Sequence, residues 1–414
     1  MAAWQQTRLG NISQIYSGFA FRSQDLGEKG IPVVKIANIQ NKRVSPECAD
    51  HLPVELCTEK LNRYFLQPDD TLIAMTGAGS VGKVGKMPRA EGRFLVNQRV
   101  GIVRPDSSLC DPAFVYFALS QDFYETKLYG LGLGAGQPNV SAKQIGELEI
   151  PFPPLAVQQR IAGILSAYDE LMENSQRRIR LLEAMARALY REWFVHFRFP
   201  GHEKHPRVAS SLGDIPQGWE MKSIQQFGAV ITGKTPSKAN TDFYGNDVPF
   251  VKTPDMHGNM FILGTSDCLS TAGAESQANK TIPAGSICVS CIGTIGVVSI
   301  TTENCQTNQQ INSVVLVKTA SREFLFLRLQ DAKRTLENLG ANGATMGNVN
   351  KGKFEAMEIV CPPDDLLARY HRLVEPMFSE ILSLFRQIQN LRRTRDVLLP
   401  RLLSGQVALN GKET

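Results

Sequence analysis

A glycine-rich segment is the first place in this 414-residue chain where residue types and spacing suggest chemistry. Gly77-Ala78-Gly79-Ser80-Val81-Gly82-Lys83-Val84 follows a predicted strand and nearly matches GxxxxGK[ST], the loop that cradles nucleotide phosphates. However, Val84 stands where a hydroxyl must bind magnesium, and the following Gly85-Lys86-Met87-Pro88 cannot open the helix whose N-terminus would hold phosphate. The segment is therefore predicted to be a glycine turn between two strands.

Two other groups contain residue types that bind metals. Cys288 and Cys291 have CxxC spacing, but residues three apart on a strand point to opposite faces, and no second CxxC follows. His202 and His205 lie in a polar linker near His196, without the HExxH pattern. No nucleophile paired with a base stands out in the sequence. We therefore predict core cysteines, no metal site and no catalytic residue, so the chain is expected not to be an enzyme.

Composition excludes several protein classes. With 43% hydrophobic and 21% charged residues, the chain is not mostly disordered. It contains neither a run of about 20 apolar residues that could span a bilayer nor a secretory signal at its start, which predicts a cytoplasmic protein without membrane contact. The eight cysteines are expected to be free thiols. A net charge of +5 permits a nucleic-acid partner without requiring one.

Short motifs recur in the same order in the two halves of the chain. They are Gly79-x-x-Gly82 with Gly293-x-x-Gly296, Asn97-Gln98 with Asn308-Gln309, Asn139-Val140 with Asn348-Val349, and Pro153-Pro154 with Pro362-Pro363. In the last two pairs, the same number of residues separates the first copy from the second. In the earlier pairs this separation differs by a few residues, as loop insertions would cause. The shared order indicates two diverged copies of one module.

Each copy ends in a predicted long helix, because apolar positions follow alternating steps of four and three, a heptad pattern. The first series is Ile161, Leu165, Tyr168, Met172, Ser175, Ile179, Leu182, Ala186, Leu189 and Trp193. The second series is Tyr370, Val374, Met377, Ile381, Leu384, Ile388, Leu391, Arg395, Leu398 and Leu402. Pro376 interrupts the second series and predicts a kink or break.

The two modules before the helices are predicted to be mixed α/β. Short apolar runs such as Thr71-Leu72-Ile73-Ala74-Met75 and Ser313-Val314-Val315-Leu316-Val317 indicate strands, and short helices are predicted to begin at Phe114 and Glu323. The expected fold is two similar α/β modules separated by two long helices that form an antiparallel coiled coil, with pseudo-twofold symmetry. A helix of ~40 residues is roughly 60 Å long, so building the second module at its far end avoids a fully extended return.

The boundaries follow from these patterns. We predict a first module over residues 1–152, a first helix over 153–199, a linker and second module over 200–361, a second helix over 362–408, and a tail over 409–414. The polar, breaker-rich stretch between Pro200 and Gly218 is the clearest boundary.

The order of these parts resembles the specificity subunit of type I restriction-modification systems. The motifs that carry the resemblance include Ile215-Pro216-Gln217-Gly218-Trp219-Glu220, Gln158-Gln159-Arg160-Ile161, and the ending Leu398-Leu399-Pro400-Arg401-Leu402-Leu403-Ser404-Gly405. The chain departs from the pattern at Leu366-Leu367-Ala368-Arg369, where the second helix start lacks Gln-Gln-Arg, and the first module opens at Trp4 without Pro-x-Gly before it.

The resemblance implies two target recognition domains, each reading half of a split double-stranded DNA sequence. It also implies that the helices space these domains and dock two DNA adenine methyltransferase subunits, with restriction and motor subunits joining the complex. S-adenosylmethionine, ATP and magnesium would then be bound by those partners and no cofactor by this chain. A coiled-coil adaptor that binds only proteins, without DNA specificity, is the alternative.

Side-chain chemistry indicates candidate interface residues, because Asn, Gln, Arg and Lys suit base edges and phosphates. The DNA-binding candidates are Lys35, Asn38, Gln40, Lys42, Arg43, Lys83, Lys86, Lys252, Thr253, His257 and Asn259. The candidates for docking partner subunits on the helices are Arg160, Tyr168, Met172, Ile179, Leu182, Leu189, Met377, Ile381, Ile388, Leu391 and Leu398. For the DNA candidates an ordinary surface loop remains the alternative, and for the helices an intramolecular brace.

Overall fold

The computed structural model describes residues 4–87, 92–134, 136–211, 213–341 and 347–407. The chain forms two compact units: unit 1 comprises Met1–Glu173 with Gln389–Thr414, and unit 2 comprises Asn174–Ile388. Each of the two long helices therefore contributes one part to each unit. The predicted tail, residues 409–414, and most of the second copy of the glycine-rich Asn-Val segment, residues 342–346, lie outside the described residues.

The globular part of unit 1 is built on a six-stranded sheet with the order β2-β10-β7-β8-β5-β4, flanked by a three-stranded sheet β6-β3-β9 and the pair β1-β11. Its strands are β1 (Gln6–Arg8), β2 (Ser13–Ser17), β3 (Ile31–Val34), β4 (Ile39–Gln40), β5 (Arg43–Val44), β6 (His51–Leu52), β7 (Thr71–Ala74), β8 (Val84–Lys86), β9 (Leu95–Val96), β10 (Val100–Pro105) and β11 (Glu149–Pro151).

Helices cover one side of this sheet and complete its core. They are α1 (Pro112–Leu119), α2 (Asp122–Gly132), α3 (Ala142–Gly146) and the start of α4 (Leu155–Tyr190). Asp111 caps α1 by accepting a hydrogen bond from the Phe114 amide, and a proline opens the helix, as its missing N–H permits. Almost every residue of α1 is buried, because the helix lies between the sheet and α4.

The globular part of unit 2 has a five-stranded sheet with the order β15-β22-β19-β20-β17, a three-stranded sheet β18-β16-β21, and the pairs β14-β23 and β12-β13. Its strands are β12 (Arg207–Val208), β13 (Ile215–Pro216), β14 (Glu220–Ser223), β15 (Gly228–Thr232), β16 (Tyr244–Val251), β17 (Phe261–Ile262), β18 (Asp267–Leu269), β19 (Ile287–Ser290), β20 (Val298–Thr301), β21 (Gln306–Thr307), β22 (Ile311–Leu316) and β23 (Glu358–Cys361). Its helices are α5 (Thr253–Met256), α6 (Thr271–Glu275), α7 (Arg322–Asp331), α8 (Lys333–Gly340), α9 (Lys351–Glu355) and α10 (Asp364–Leu403).

Strand pairing confirms the predicted repeat. In both units the first sheet runs through four antiparallel strands, β2-β10-β7-β8 in unit 1 and β15-β22-β19-β20 in unit 2. The small sheets agree as well, since β3 pairs parallel with β9 where β16 pairs parallel with β21. In each unit the strand before the long helix pairs with a strand near the start of the module, β11 with β1 in unit 1 and β23 with β14 in unit 2. The mixed α/β prediction is thus confirmed for both modules.

The glycine-rich segment is a turn between the antiparallel strands β7 and β8, as predicted. Gly77, Gly79 and Gly82 adopt φ of 105°, 73° and 86°, a region that L-residues rarely enter. Gly82 also has no room for a side chain, because an added Cβ would lie 2.6 Å from the Glu125 carbonyl oxygen. Since β8 and not a helix follows the turn, no helix N-terminus is present there to hold a phosphate.

The two heptad series form the buried side of α4 and of α10, except that Trp193 lies in the π-helical turn Arg191–Val195 that follows α4. Every member of both series is buried or half-buried, including Ser175 and Arg395 at the two polar positions. The break predicted at Pro376 is wrong, since this proline lies inside α10, a single helix of 40 residues. Pro376 is exposed, and the buried Val374 and Phe378 on either side hold the helix to its unit. Their burial outweighs the hydrogen bond that proline removes, a cost of about 3 kcal/mol.

Within each unit the two helices run antiparallel. In unit 2, Arg178 pairs with Glu380, and eight residues later the Ala186 carbonyl accepts a hydrogen bond from the Tyr370 hydroxyl at 3.4 Å. In unit 1, the Arg395 guanidinium donates to Asp169 at 2.5 Å, and Leu402 joins the core cluster that contains Ile161. The predicted antiparallel pairing is therefore present in both units.

The eight cysteines are free thiols, as expected. Cys288 and Cys291 are both buried, and burial raises the pKa of Cys288 to about 12 and that of Cys291 to about 11, so the CxxC pair is part of the core. None of the helices within the described ranges combines the length and apolarity that a bilayer span needs.

Candidate nucleic-acid interface

The loop that contains most of the predicted DNA-binding residues of unit 1 is held by its own polar groups. After β3, the Lys35 amide donates a hydrogen bond to Asn38 Oδ1 at 2.9 Å, and the Lys35 ammonium lies 2.7 Å from Asp50. The Asn38 amide nitrogen donates to the Glu47 carbonyl at 2.9 Å. Asn38 is only 9% exposed, so its side chain stabilises the loop and is not available to a base edge.

The next part of the loop is a tight hairpin between β4 and β5. Asn41 and Lys42 both have positive φ, 51° and 62°, as in the two-residue turns that suit strand twist. The Lys42 ammonium lies 2.9 Å from Asp122 and 3.2 Å from Glu125, both on α2. The Lys42 carbonyl accepts a hydrogen bond from the Tyr116 hydroxyl at 2.7 Å, and burial raises the pKa of Tyr116 to about 12.

The remaining cations of this set also have acidic neighbours, with one exception. Arg43 lies 3.4 Å from Glu173, and Lys86 lies 3.5 Å from Asp69. Within the part of the chain that the structure describes, Lys83 at the glycine turn has no acidic partner and is half-buried. Gln40 is exposed and donates to the Ala37 carbonyl at 3.0 Å. Such pairs lower the local positive charge, which weakens attraction to phosphate.

The same arrangement occurs at the equivalent loop of unit 2. The Lys252 amide donates to Asp255 Oδ2 at 2.8 Å, as the Lys35 amide does to Asn38, and the Lys252 ammonium pairs with Asp267. Thr253 is buried and its hydroxyl is 3.4 Å from Gln310 Oε1, so it is not available to DNA either.

Two candidates of unit 2 keep exposed side chains. His257 and Asn259 follow this loop, and the Asn259 amide nitrogen donates to the Asp255 carbonyl at 3.2 Å. They remain candidates for contact with a partner.

The repeated Asn-Gln pairs serve the fold through their asparagines. Asn97 Oδ1 accepts from the Arg99 amide at 3.2 Å, and Asn308 Oδ1 accepts from the Gln310 amide at 3.1 Å. The backbone amide of Asn97 also donates to the Val34 carbonyl at the end of β3, and that of Asn308 donates to the Val251 carbonyl at the end of β16. The glutamines that follow, Gln98 and Gln309, are exposed.

In the described ranges, no group of three or more His, Cys, Asp or Glu side chains lies close enough together to hold a metal ion. The linker histidines instead contact backbone carbonyls: His202 Nδ1 lies 2.9 Å from the Phe199 carbonyl, and His205 Nδ1 lies 3.3 Å from that of Gln217.

Comparison with known proteins identifies the repeated module. A family model described as "Type I restriction modification DNA specificity domain" matches the chain twice, over residues 1–184 and 216–366. The chain belongs to the type I restriction-modification DNA specificity family. It is similar to the HindI specificity subunit of Haemophilus influenzae, with 32% identity over 375 residues that cover 76% of this chain and 81% of the relative.

More distant relatives also align over most of this chain. The MjaIX specificity subunit of Methanocaldococcus jannaschii is 24% identical over 330 residues, covering 78% of this chain and 75% of the relative. The crystal structure of a type I S subunit from M. genitalium aligns over 97% of this chain and 96% of its own, with a TM-score of 0.63 and 13% identity. At that identity the likeness supports the fold alone.

The docking residues predicted on the helices of this specificity-family chain need correction. Met172, Ile179, Ile381 and Ile388 are all less than 8% exposed, so they hold the helices in place and cannot meet a partner subunit. The half-buried members of the set are Tyr168, Leu182, Leu189, Met377, Leu391 and Leu398, and Arg160 is exposed. The error arose because a heptad seam marks the residues that pair two helices, and here both helices belong to one chain.

Sequence reasoning also missed a set of exposed polar residues beside the glycine turn of unit 1. Gln98, Arg99, Gln137 and Asn139 come from separate segments and line one groove. The sequence signal was present, because Gln98 and Asn139 belong to the repeated motifs. Those motifs indicate the repeat, but the sequence alone does not show that they meet in one groove.

Proposed function

We propose that this chain is the DNA-specificity subunit of a type I restriction-modification complex and that each unit reads one half of a split DNA sequence. The observation that carries the proposal is the twofold occurrence of one module, with the same strand pairing and hydrogen-bonded loops but different exposed side chains. Two copies of one scaffold with different surfaces suit two different half-sites, because base edges are read by side chains.

The exposed apolar side chains of the helices are the proposed docking surface for two DNA adenine methyltransferase subunits. Leu181 and Met185 of α4 are 58% and 55% exposed, and Leu373 of α10 is 50% exposed, although the seam residues beside them are buried. The heptad residues of these helices are already buried between α4 and α10. The additional leucine and methionine side chains that remain exposed therefore favour a protein partner. Restriction and motor subunits would join this assembly, and S-adenosylmethionine, ATP and magnesium would be bound by the partners.

Reconstitution with the cognate methyltransferase tests the proposal. We expect the purified chain alone to transfer no methyl group, and the complex to methylate adenine at a split sequence when S-adenosylmethionine is supplied. DNA binding by the complex should weaken steeply with salt, since phosphate contacts release counterions. A complex that binds DNA weakly and without salt dependence would instead favour a coiled-coil adaptor, and methyl transfer by the chain alone would contradict a non-catalytic role.

A charge placed on the helices tests the docking surface. The double variant Leu181→Asp with Met185→Asp should reduce copurification of the methyltransferase while leaving the fold intact, because both side chains are exposed. Val317→Asp, at a 79% exposed position in the globular part of unit 2, is the matched control and should copurify as the wild type does. Equal recovery with both variants would refute this docking surface.

A further inference from the structure

A polar groove of 490 Å³ lies beside the glycine turn of unit 1. Its lining includes Ser17, Thr76, Gln98, Arg99, Gln137 and Asn139. These side chains come from the end of β2, the turn after β7, the turn between β9 and β10, and the segment before α3. Two of the four segments bring amide and guanidinium groups to the groove, and the other two bring the hydroxyl residues Ser17 and Thr76.

The charge of this groove sets it apart from its neighbours in unit 1. No carboxylate is among its described lining residues, whereas a second cleft contains Asp122 and Glu125 and a third contains Glu47 and Asp50. In the described part of the chain, the Arg99 side chain has no acidic partner, unlike Lys35, Lys42, Arg43 and Lys86 of the predicted set. An unpaired guanidinium among neutral amides suits an anionic ligand.

Backbone hydrogen bonds hold the segments of the groove in fixed positions. The Met75 amide donates to the Arg99 carbonyl at 2.9 Å, the Gln98 amide donates to the Phe19 carbonyl at 2.9 Å, and the Gly77 amide donates to the Pro138 carbonyl at 3.1 Å. A ligand therefore meets preorganised positions, which lowers the entropy lost on binding.

Equivalent backbone hydrogen bonds occur in unit 2. They match the groove residues of unit 1 to their counterparts in unit 2. The Cys291 amide donates to the Gln310 carbonyl as Met75 does to Arg99, so Gln310 is equivalent to Arg99. Gln309 is equivalent to Gln98, because the asparagine before each donates its backbone amide to the end of β16 or β3. Asn348 is equivalent to Asn139, because the two form matching bridges with Ile292 and Thr76. Two amides are thus common to both units, whereas the arginine of unit 1 is a glutamine in unit 2.

We propose that this groove binds the half-site DNA of unit 1, with Gln98 and Asn139 on the phosphate backbone and Arg99 on a base edge. This inference rests on the proposed function. The two shared amides suit what is common to both half-sites, the sugar-phosphate backbone. Arg99 suits what is different, since an exposed arginine pairs with the O6 and N7 of guanine. Its counterpart Gln310 is half-buried, and its Oε1 accepts hydrogen bonds from Asn308 and Thr253 within unit 2.

The test uses the complex with its methyltransferase, fluorescence anisotropy on a cognate duplex, and sequencing of the methylated sites. Arg99→Ala should raise the Kd by roughly tenfold or more. Arg99→Gln, which installs the residue of unit 2, should change one base of a single half-site and leave the other half unchanged. The double variant Gln98→Ala with Asn139→Ala should weaken binding to all sequences alike, because phosphate contacts carry no sequence information. It should leave the salt dependence unchanged, because neutral amides release no counterions.

Lys60→Ala is the matched control, since Lys60 is exposed in unit 1 and does not line the groove. If all groove variants bind and methylate like this control, the groove is not the DNA contact, although the proposed function stands. The same holds if Arg99→Gln alters both half-sites. A wild-type complex that binds no DNA would overturn the proposed function itself.

Discussion

The two units repeat one backbone but bury different polar groups. In unit 1, Arg104 of β10 donates two hydrogen bonds of 2.7 Å to Asp70, whose side chain is fully buried. In unit 2 the buried carboxylate is Glu323 of α7, which lies 2.6 Å from His371 of α10 and 2.7 Å from Arg322. The two units thus share their strand pairing and loop hydrogen bonds but differ in their buried ion pairs.

The junction between module and helix differs in the same way. In unit 2, Phe194 packs edge-on against Tyr370 and Phe324, with ring centroids 4.7 and 4.8 Å apart, and Trp193 lies beside them. In unit 1 the corresponding surface is mainly aliphatic, with Ile161 and Leu165 of α4 in the core cluster. We infer that an aromatic cluster anchors the helices in unit 2 and aliphatic packing anchors them in unit 1.

Truncating the aromatic cluster should have the largest effect. Phe194→Ala is expected to destabilise unit 2 by about 3–5 kcal/mol, since it leaves a cavity among rings that cannot close it. Phe123→Ala in unit 1, where the ring is 64% exposed, is the control and should change little. Urea unfolding followed by tryptophan fluorescence measures the difference, because two of the three tryptophans, Trp193 and Trp219, lie in unit 2. Equal midpoints would refute the anchoring role.

Breaking the buried ion pair of unit 1 should have a somewhat smaller effect. Asp70→Ala leaves the Arg104 guanidinium without its carboxylate and should cost about 3 kcal/mol. Asp122→Ala removes a carboxylate that is 93% exposed, and its ion pair with Lys42 should contribute less than about 1 kcal/mol. Thermal unfolding of both variants gives the comparison, and an Asp70→Ala protein as stable as the wild type would show that this pair adds nothing.

Glycine substitutions compare the two turns directly. Gly82→Ala and Gly296→Ala both force alanine into positive φ, at about 1–2 kcal/mol each. The Cβ at position 82 would also meet the Glu125 carbonyl at 2.6 Å, whereas at position 296 the nearest atom is a flexible lysine Cγ at 2.7 Å. We therefore expect Gly82→Ala to lower the melting temperature more. The reverse order would show that the lysine cannot move.

The smallest expected difference concerns thiol reactivity. Cys288, Cys291, Cys305 and Cys361 of unit 2 are buried, and burial raises the pKa of each thiol, to about 12 for Cys288. Because the thiolate is the reactive form, they should resist a disulfide reagent at pH 8 in the native protein. The half-buried Cys48, Cys57 and Cys268 should react first because the reagent can reach them, although burial also raises the pKa of Cys48 to about 11. More than three fast-reacting thiols would mean that the core opens readily.

Much of the architecture could be predicted from the sequence because its signals are local. The heptad steps, the proline pairs before the helices and the glycines of the turn each restrict the backbone near their own position. The repeated motifs then predict that the second module has the same fold as the first.

The site residues could not be predicted in the same way, since their state depends on distant parts of the chain. Lys42 looked free in sequence, but its acidic partners Asp122 and Glu125 lie about 80 residues away, on α2. Asn38 looked like a base reader, although it holds its own loop. Only the folded chain separates the polar side chains that are already paired from those, such as Arg99, that remain available.

The most direct test of the central claim is to exchange one module and sequence the methylated sites. Residues 213–361 would be replaced by the corresponding segment of another specificity subunit, and the chimera would be assembled with the methyltransferase. The account predicts that one half of the split sequence changes and the other half is retained. A change in both halves, or in neither, would contradict the claim that each unit reads its own half-site.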